Sequence, residues 1–343
     1  MEKRSLKFIA EACGGELANG SPQAQVTRIC TDSRQAQAGD LFVALAGERF
    51  DGHDFLSEVA QNGVTALLVE RAKTSGLLHS AIRNPKSPIN KCGVITVDNS
   101  RQALGRLAAR YREDFNLPVV AIGGSNGKTT TKELVASVLR QKFKTLWSEA
   151  SFNNDIGVPL TLLNLESSHE AAVLEVGTNH PGELAPLVRM VQPRFGVLTS
   201  IGREHLEFFG DLAGVAMEEG WLAELLPAGG TLFLNGDSEW TGEIARRGRA
   251  KVWRIGLAIE NDWRPGNVQM DEQGMRFWVA GSKPNIAGEY RINLLGRHQV
   301  VNAVFAIAIG AELGLTREEI QRGLNECKPA KMRLQRWNWN GVC

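Results

Sequence analysis

Val119-Val-Ala-Ile-Gly-Gly-Ser-Asn-Gly-Lys-Thr-Thr-Thr131 is the stretch that decides the fold. It opens on an entirely apolar run, of the kind buried on both faces in a parallel sheet. A glycine-rich turn follows, then the helical pattern Lys132 to Arg140. Strand, turn, Lys-Thr and helix in that order predict a phosphate loop, in which backbone N–H groups and the helix N-terminus surround an anion. Gly124, Ser125, Asn126 and Gly127 supply the turn, Lys128 a point charge for the β- and γ-phosphates, and Thr129 or Thr130 a hydroxyl for Mg²⁺. The longer form of the pattern needs glycine where Ile122 stands, so only the shorter Gly124-x-x-Gly127-Lys128-Thr129 is present. A glycine turn with an incidental lysine is the alternative, and the flanking strand and helix oppose it. The loop alone says nucleotide phosphate and names no reaction.

Outward from this stretch, strand-like runs alternate with helical ones. Leu41–Leu45, Val64–Val69 and Val94–Val97 precede it; Ala172–Val176, Val197–Ser200 and Thr231–Leu234 follow. The segment Ser100 to Glu113 carries Leu104, Leu107, Ala108 and Tyr111 at helical spacing, with Ser100 as N-cap. This alternation predicts an α/β protein with a doubly wound, mostly parallel sheet. From about Val252 to Leu295 the pattern changes, and Asp271-Glu-Gln-Gly274 reads as a turn in an antiparallel extension. A helix from about His298 to Leu313 ends at Gly314. Boundaries near residues 98 and 326 divide the chain into 1–98, 99–325 and a short 326–343.

The 343 residues carry 39 Lys+Arg against 38 Asp+Glu and are 43% hydrophobic, enough for more than one core. A net charge of +1 gives no electrostatic reason to expect nucleic acid or an anionic membrane as partner. Met1-Glu-Lys-Arg-Ser-Leu-Lys leads into an amphipathic stretch rather than an apolar signal core, and the longest apolar run, Ala303 to Ala311, is about half a membrane span. Cys13, Cys30, Cys92, Cys327 and Cys343 show no metal or disulfide spacing. A cytoplasmic protein with reduced thiols is expected, working as a monomer.

Further candidates lie along the C-terminal edge of the sheet, where open α/β sheets bind ligands. Glu175 ends one apolar strand and could hold Mg²⁺ directly or through water, or simply reach solvent. His205 follows the next strand on the same edge. On a helix predicted over Asp211 to Leu226, Glu219 falls in the middle of the apolar stripe of Leu212, Val215, Ala216, Leu222, Ala223 and Leu226, with Glu218 at its margin. An inward carboxylate costs several kcal/mol unless a metal or a Lys/Arg compensates it. Asn153 and Asn154 sit in a polar turn before a helix. His298 and Asn302 share a helix face, suited equally to an adenine edge or to helix capping.

Taken together, the blocks Thr31–Arg34, Gly39–Phe55, Gly124–Thr130, Asn153–Pro159, Glu175–Gly182, His205–Glu207, Asn235–Asp237 and Gly296–Asn302 resemble the Mur ligase family in order and spacing across nearly the whole chain. Asn153-Asn-Asp-Ile-Gly-Val-Pro159 and Glu175-Val-Gly-Thr-Asn-His-Pro-Gly182 favour its D-alanyl-D-alanine-adding branch. The resemblance implies an N-terminal domain that holds UDP-N-acetylmuramoyl-tripeptide, with Ser33 and Arg34 near the nucleotide end and Asn153 and Asn154 at the substrate. It implies a central ATPase domain with Lys128 on the phosphates and Mg²⁺ at Thr129 or Thr130. Glu175 and His205 would bind a second Mg²⁺, His298 and Asn302 the adenine, and Arg333 the ATP phosphates. The family reaction makes an acyl phosphate from ATP and the peptide carboxylate, which the amine of D-alanyl-D-alanine then attacks.

Three departures stand out. The family usually has a carbamylated lysine fourteen residues after the metal-binding histidine; here that position is Glu219, an encoded carboxylate expected to serve as metal or active-site ligand in its place. His298-Gln299 replaces the usual His-Asn pair. The family also normally continues for about another hundred residues, as a Rossmann-like third domain that closes over ATP. This chain reaches a hinge-like Pro329–Gln335 and ends at Cys343, so impaired ligation is expected of it. A non-catalytic binder of the UDP-substrate and ATP, a phosphate-loop kinase and another amino-acid-adding member of the family are the rival readings.

Overall fold

The computed structural model describes residues 1–74 and 82–328. They form two compact units, one of Met1–Asn116 with Pro159–Glu166, the other of Leu117–Val158 with the described residues from Ser167 onward.

The first unit is built on a five-stranded sheet in the order Glu16–Asn19, Gly93–Val97, Ala66–Glu70, Asp40–Val43, Arg28–Cys30. The last four strands run parallel, and Glu16–Asn19 pairs antiparallel. Phe42, Leu67, Val69 and Val94 fill one face together with Leu56 and Val59. The helix Ser100–Arg112 belongs to this unit, so the boundary falls at Asn116 rather than near residue 98. Its contacts explain why. Arg106 Nε donates to Cys13 O at 2.8 Å, and the Tyr111 hydroxyl accepts from Glu2 N at 2.8 Å and donates to Leu165 O at 2.6 Å. The cap of this helix is Asn99, whose side chain accepts from Gln102 N, while Ser100 is buried and gives its N–H to Glu70.

The second unit carries a six-stranded, fully parallel sheet ordered Lys251–Ile255, Thr231–Asn235, Phe195–Leu198, Val119–Gly123, Ala171–Glu175, Thr145–Trp147. Every residue of Val119–Gly123 is buried, as its unbroken apolar run requires. From this strand the chain travels to the Thr145–Trp147 edge, returns through Ala171–Glu175, and only then crosses to Phe195–Leu198 on the other side. The connections leaving Val119–Gly123 and Phe195–Leu198 therefore diverge, the arrangement at which doubly wound sheets bind ligands.

The helix after the loop, Lys128–Leu139, begins four residues earlier than its periodicity suggests. Gly127, at φ 89°, turns the chain straight into the first helical residue. Arg297–Glu312 packs on it, which places the run Ala303–Ala311 in the core. Among the described residues no helix is long and apolar enough to cross a membrane. Arg264–Asp271, Gly274–Ala280 and Gly288–Ile292 form the expected antiparallel extension, with Asp271 opposite Gly274 at the turn.

The predicted helix over Asp211 to Leu226 is two helices, Leu212–Glu219 and Trp221–Leu225, with Asp211 as N-cap of the first. They part at Gly220, where a Cβ would collide with the Arg247 guanidinium that donates to Met217 O. An arginine distant in sequence thus caps the first helix.

Candidate active site

Glycine is obligatory at two points of the phosphate loop. Gly124 has φ 105°, and a Cβ there would lie 2.6 Å from Thr199 Oγ1 and 2.8 Å from Ser200 O. A Cβ on Gly127 would lie 2.8 Å from Asn302 Oδ1. The loop is stitched to the chain leaving Phe195–Leu198: Ser125 N donates to Ser200 O at 2.8 Å, Asn126 N to Ser200 Oγ at 2.9 Å, and Gly202 N to Ser125 Oγ at 2.8 Å. Gly124 N donates to Glu219 Oε2 at 2.7 Å. The amides of Gly124, Ser125 and Asn126 are thus already engaged. Those of Gly127, Lys128, Thr129 and Thr130, at the helix start, have no partner among the described residues. An anion would be met there, one turn later than the glycine pattern suggests.

Glu219 is buried at the tip of the Val119–Gly123 strand, as its place in the apolar stripe predicts. Burial above all pushes its carboxyl up to about 7; the Lys128 ammonium and the Gly124 N–H oppose that shift, and Glu204 and Glu218 add to it. Lys128 turns back into the loop, with Nζ 2.5 Å from Gly124 O and 3.4 Å from Ser125 O, and pairs with Glu204 Oε2 at 3.6 Å.

On the other flank of the same strand, Glu175 is buried and its Oε1 accepts from Asn153 Nδ2 at 2.9 Å. Its N–H donates to Ser148 Oγ, and Lys132 Nζ, fully buried, donates to Ser148 O at 2.7 Å and Ala150 O at 2.6 Å. Asn154 has its Oδ1 engaged by Gly157 N at 2.8 Å, a cap on the helix Gly157–Leu162. His205 is exposed, at φ 45° before the short helix Leu206–Phe209.

The residues fit Mg²⁺ on one observation. Glu175 Oε2, Glu204 Oε1 and Glu219 Oε1 are all buried carboxylate oxygens without a hydrogen-bond partner. No three His, Cys, Asp or Glu side chains gather into a metal centre among the described residues, so Glu175, His205 and Glu219 are not brought together as a complete set. Mg²⁺ does not need one, because it is commonly held by one or two carboxylates with substrate phosphates and water.

Asn302 is buried, with Nδ2 donating to Gln299 Oε1 at 2.9 Å and Oδ1 toward Gly127. His298 is exposed on the first turn of Arg297–Glu312. That helix has no side-chain cap, so neither residue takes the capping role. In the first unit Arg34 folds onto Asp32, donating to both carboxylate oxygens at 2.8 Å, and these bonds hold the Asp32 carboxyl down to about 2. Ser33 starts the short 3-10 turn that Asp32 caps. Arg333 and the hinge-like Pro329–Gln335 lie outside the described residues.

Three groups escaped the sequence reading. Glu204, beside His205, was readable only as one more polar residue after a strand. Glu218 looked marginal on the helical wheel, yet it is buried and accepts from Gly182 N and Leu184 N at 2.9 and 2.8 Å. Lys132 had a usable signal, a second lysine four residues after Lys128 on a helix with an apolar face.

Known proteins resemble this chain over nearly its whole length. Residues 122–310 match the Mur ligase middle domain, and residues 25–112 match the Mur ligase family, catalytic domain. The UDP-N-acetylmuramoyl-tripeptide--D-alanyl-D-alanine ligase of Escherichia coli (strain K12) is 37% identical over 96% of this chain and 69% of its own length. The enzyme of the same name from Bacillus subtilis (strain 168) is 35% identical over 98% of this chain and 69% of its own. The crystal structure of MurF from Acinetobacter baumannii superposes with a TM-score of 0.86 at 32% identity, covering 98% of this chain and 70% of the other. With a phosphate loop at the switch point of a parallel sheet and such relatives along nearly all its residues, the chain belongs to the Mur ligase family.

Proposed function

We propose that this protein is an ATP-dependent amide-forming ligase that joins D-alanyl-D-alanine to UDP-N-acetylmuramoyl-tripeptide in peptidoglycan precursor synthesis. The observation that carries this reading is the identity of 35–37% to ligases of that specificity, over at least 96% of this chain. A carboxylate is a poor acyl donor until one of its oxygens becomes a leaving group. Transfer of the γ-phosphoryl group of ATP to the terminal carboxylate of the tripeptide releases ADP and gives an acyl phosphate. The dipeptide amine attacks the carbonyl carbon, loses a proton, and phosphate departs with the former carboxylate oxygen.

The amides of Gly127 to Thr130 and the Lys128 ammonium are suited to hold the phosphates in line for transfer. Gly124, Ser125 and Asn126 support them by shaping the turn. Thr129 or Thr130 would hold one Mg²⁺ and Glu175 and His205, with Glu219, would contribute to a second, each completed by substrate phosphates and water; Mg²⁺ supplies charge neutralisation during transfer. His298 and Asn302 are read as adenine contacts, Arg333 as a phosphate contact, and Ser33, Arg34, Asn153 and Asn154 as UDP-substrate contacts. The need for ATP and a nucleotide-linked sugar supports a cytoplasmic reaction.

The test is phosphate release from MgATP with the UDP-sugar tripeptide and D-alanyl-D-alanine, followed by mass spectrometry of the UDP product. Release that requires both substrates, accompanied by the pentapeptide product and abolished in Lys128→Ala, is expected. A stable phosphorylated product formed without the dipeptide would point to a kinase and overturn the reading.

A further inference from the structure

We infer that Glu204 sets the preference of the phosphate loop for metal-complexed over metal-free nucleotide, by opposing the phosphates at Lys128. The inference rests on the reading that this loop binds a nucleotide.

Before any anion arrives, the Lys128 ammonium is already surrounded by negative charge and negative dipoles. Glu204 Oε2 lies 3.6 Å away, and the carbonyl oxygens of Gly124 and Ser125 take hydrogen bonds from the same nitrogen. Both partners of the ion pair are only 15% exposed, so water screens the pair weakly. Glu219, itself within electrostatic range of Lys128 and Glu204, brings a second carboxyl group to this one lysine. Glu204 Oε1 and Glu219 Oε1 are both buried without a hydrogen-bond partner. Oxygens placed this way are short of positive charge.

A nucleotide arriving without a cation must therefore compete with Glu204 for the ammonium, and its phosphates meet the Glu204 charge at the switch point of the sheet. A nucleotide arriving with a divalent cation brings the missing positive charge, and the orphaned oxygens have something to face. Glu204 thus penalises the bare nucleotide more than the metal complex. It determines specificity between two forms of one ligand and need not touch the reacting atoms.

The experiment is isothermal titration of the full chain with ADP, first in excess EDTA and then in saturating MgCl₂, for the wild type, Glu204→Gln and Glu204→Asp. Glu204→Gln should bind metal-free ADP about five- to tenfold more tightly than wild type, the effect of one charge in a partly desolvated site. The enhancement produced by Mg²⁺ should shrink by at least that factor. Glu204→Asp, which keeps the charge, should retain the wild-type enhancement. A residue that merely supports packing would weaken both forms on removal, so a gain of affinity separates the two roles. Unchanged or weaker binding of metal-free ADP by Glu204→Gln would overturn the inference, and Glu204→Met gives the same reading if the amide variant melts early. Failure of the wild type to bind ADP even with Mg²⁺ would overturn the nucleotide reading itself, and this inference with it.

Discussion

A carboxyl group at the buried tip of a parallel strand must find either a proton or a positive charge. Glu219 takes the proton readily, its native value being pushed up to about 7 against 4.5 for a free side chain, with burial the main cause. The sign follows from linkage. Between about pH 4.5 and 7 the native state holds a proton that the unfolded chain has released, so stability falls as pH rises through this window. Below it both states are protonated and the penalty vanishes. In EDTA, Glu219→Gln should therefore exceed the wild type in stability by on the order of 3 kcal/mol at about pH 8 and by little at about pH 5. Urea unfolding at the two pH values measures this, and an equal gap at both would contradict it. The neighbouring Gly124 leaves no such choice. Gly124→Ala would force a side chain onto Thr199 and Ser200 at φ 105°, at a cost of about 2–3 kcal/mol. Thermal melting should show the loss, together with weaker binding of MgADP.

The helix Leu212–Glu219 ends in two adjacent glutamates that hold different loops. Glu219 takes the amide of Gly124, while Glu218 takes those of Gly182 and Leu184 at the start of Leu184–Val191. Glu218→Ala would leave two amides without their acceptor and should cost about 1–3 kcal/mol. Hydrogen exchange at Gly182 and Leu184 should accelerate, whereas the interior of Val119–Gly123 should not change; unaltered exchange at both amides would refute the assignment. This helix also shows where a one-dimensional pattern stops. The inward position of Glu219 follows from period alone, because its neighbours on the stripe are a turn or two away. The break at Gly220 depends on Arg247, and the burial of Glu218 on amides 34 and 36 residues earlier. Glu204 is similar, since its meaning comes from Lys128, which follows the neighbouring strand of the sheet. Local periodicity carries no information about such partners.

At the scale of the whole chain, two compact units carry two sets of candidate contacts, Ser33 and Arg34 in one and the phosphate loop in the other. The β/α alternation and the antiparallel extension were readable because each depends on short-range patterning. The strand order was not, since it is set by which crossovers pack together. MgADP should slow exchange at Gly127 to Thr130 without protecting the 3-10 turn Ser33–Gln35, and the UDP-sugar tripeptide should slow exchange at that turn. Protection of both regions by UDP-tripeptide alone would contradict this division. The stitching of Ser125 and Asn126 to Ser200 and Gly202 has one more consequence. Two stretches of backbone far apart in sequence hold each other rigid, so the anion cradle is preorganised and little conformational entropy is lost when it fills. Ser200→Ala should for that reason slow association and make binding entropically costlier, while every charge that attracts the ligand stays where it was.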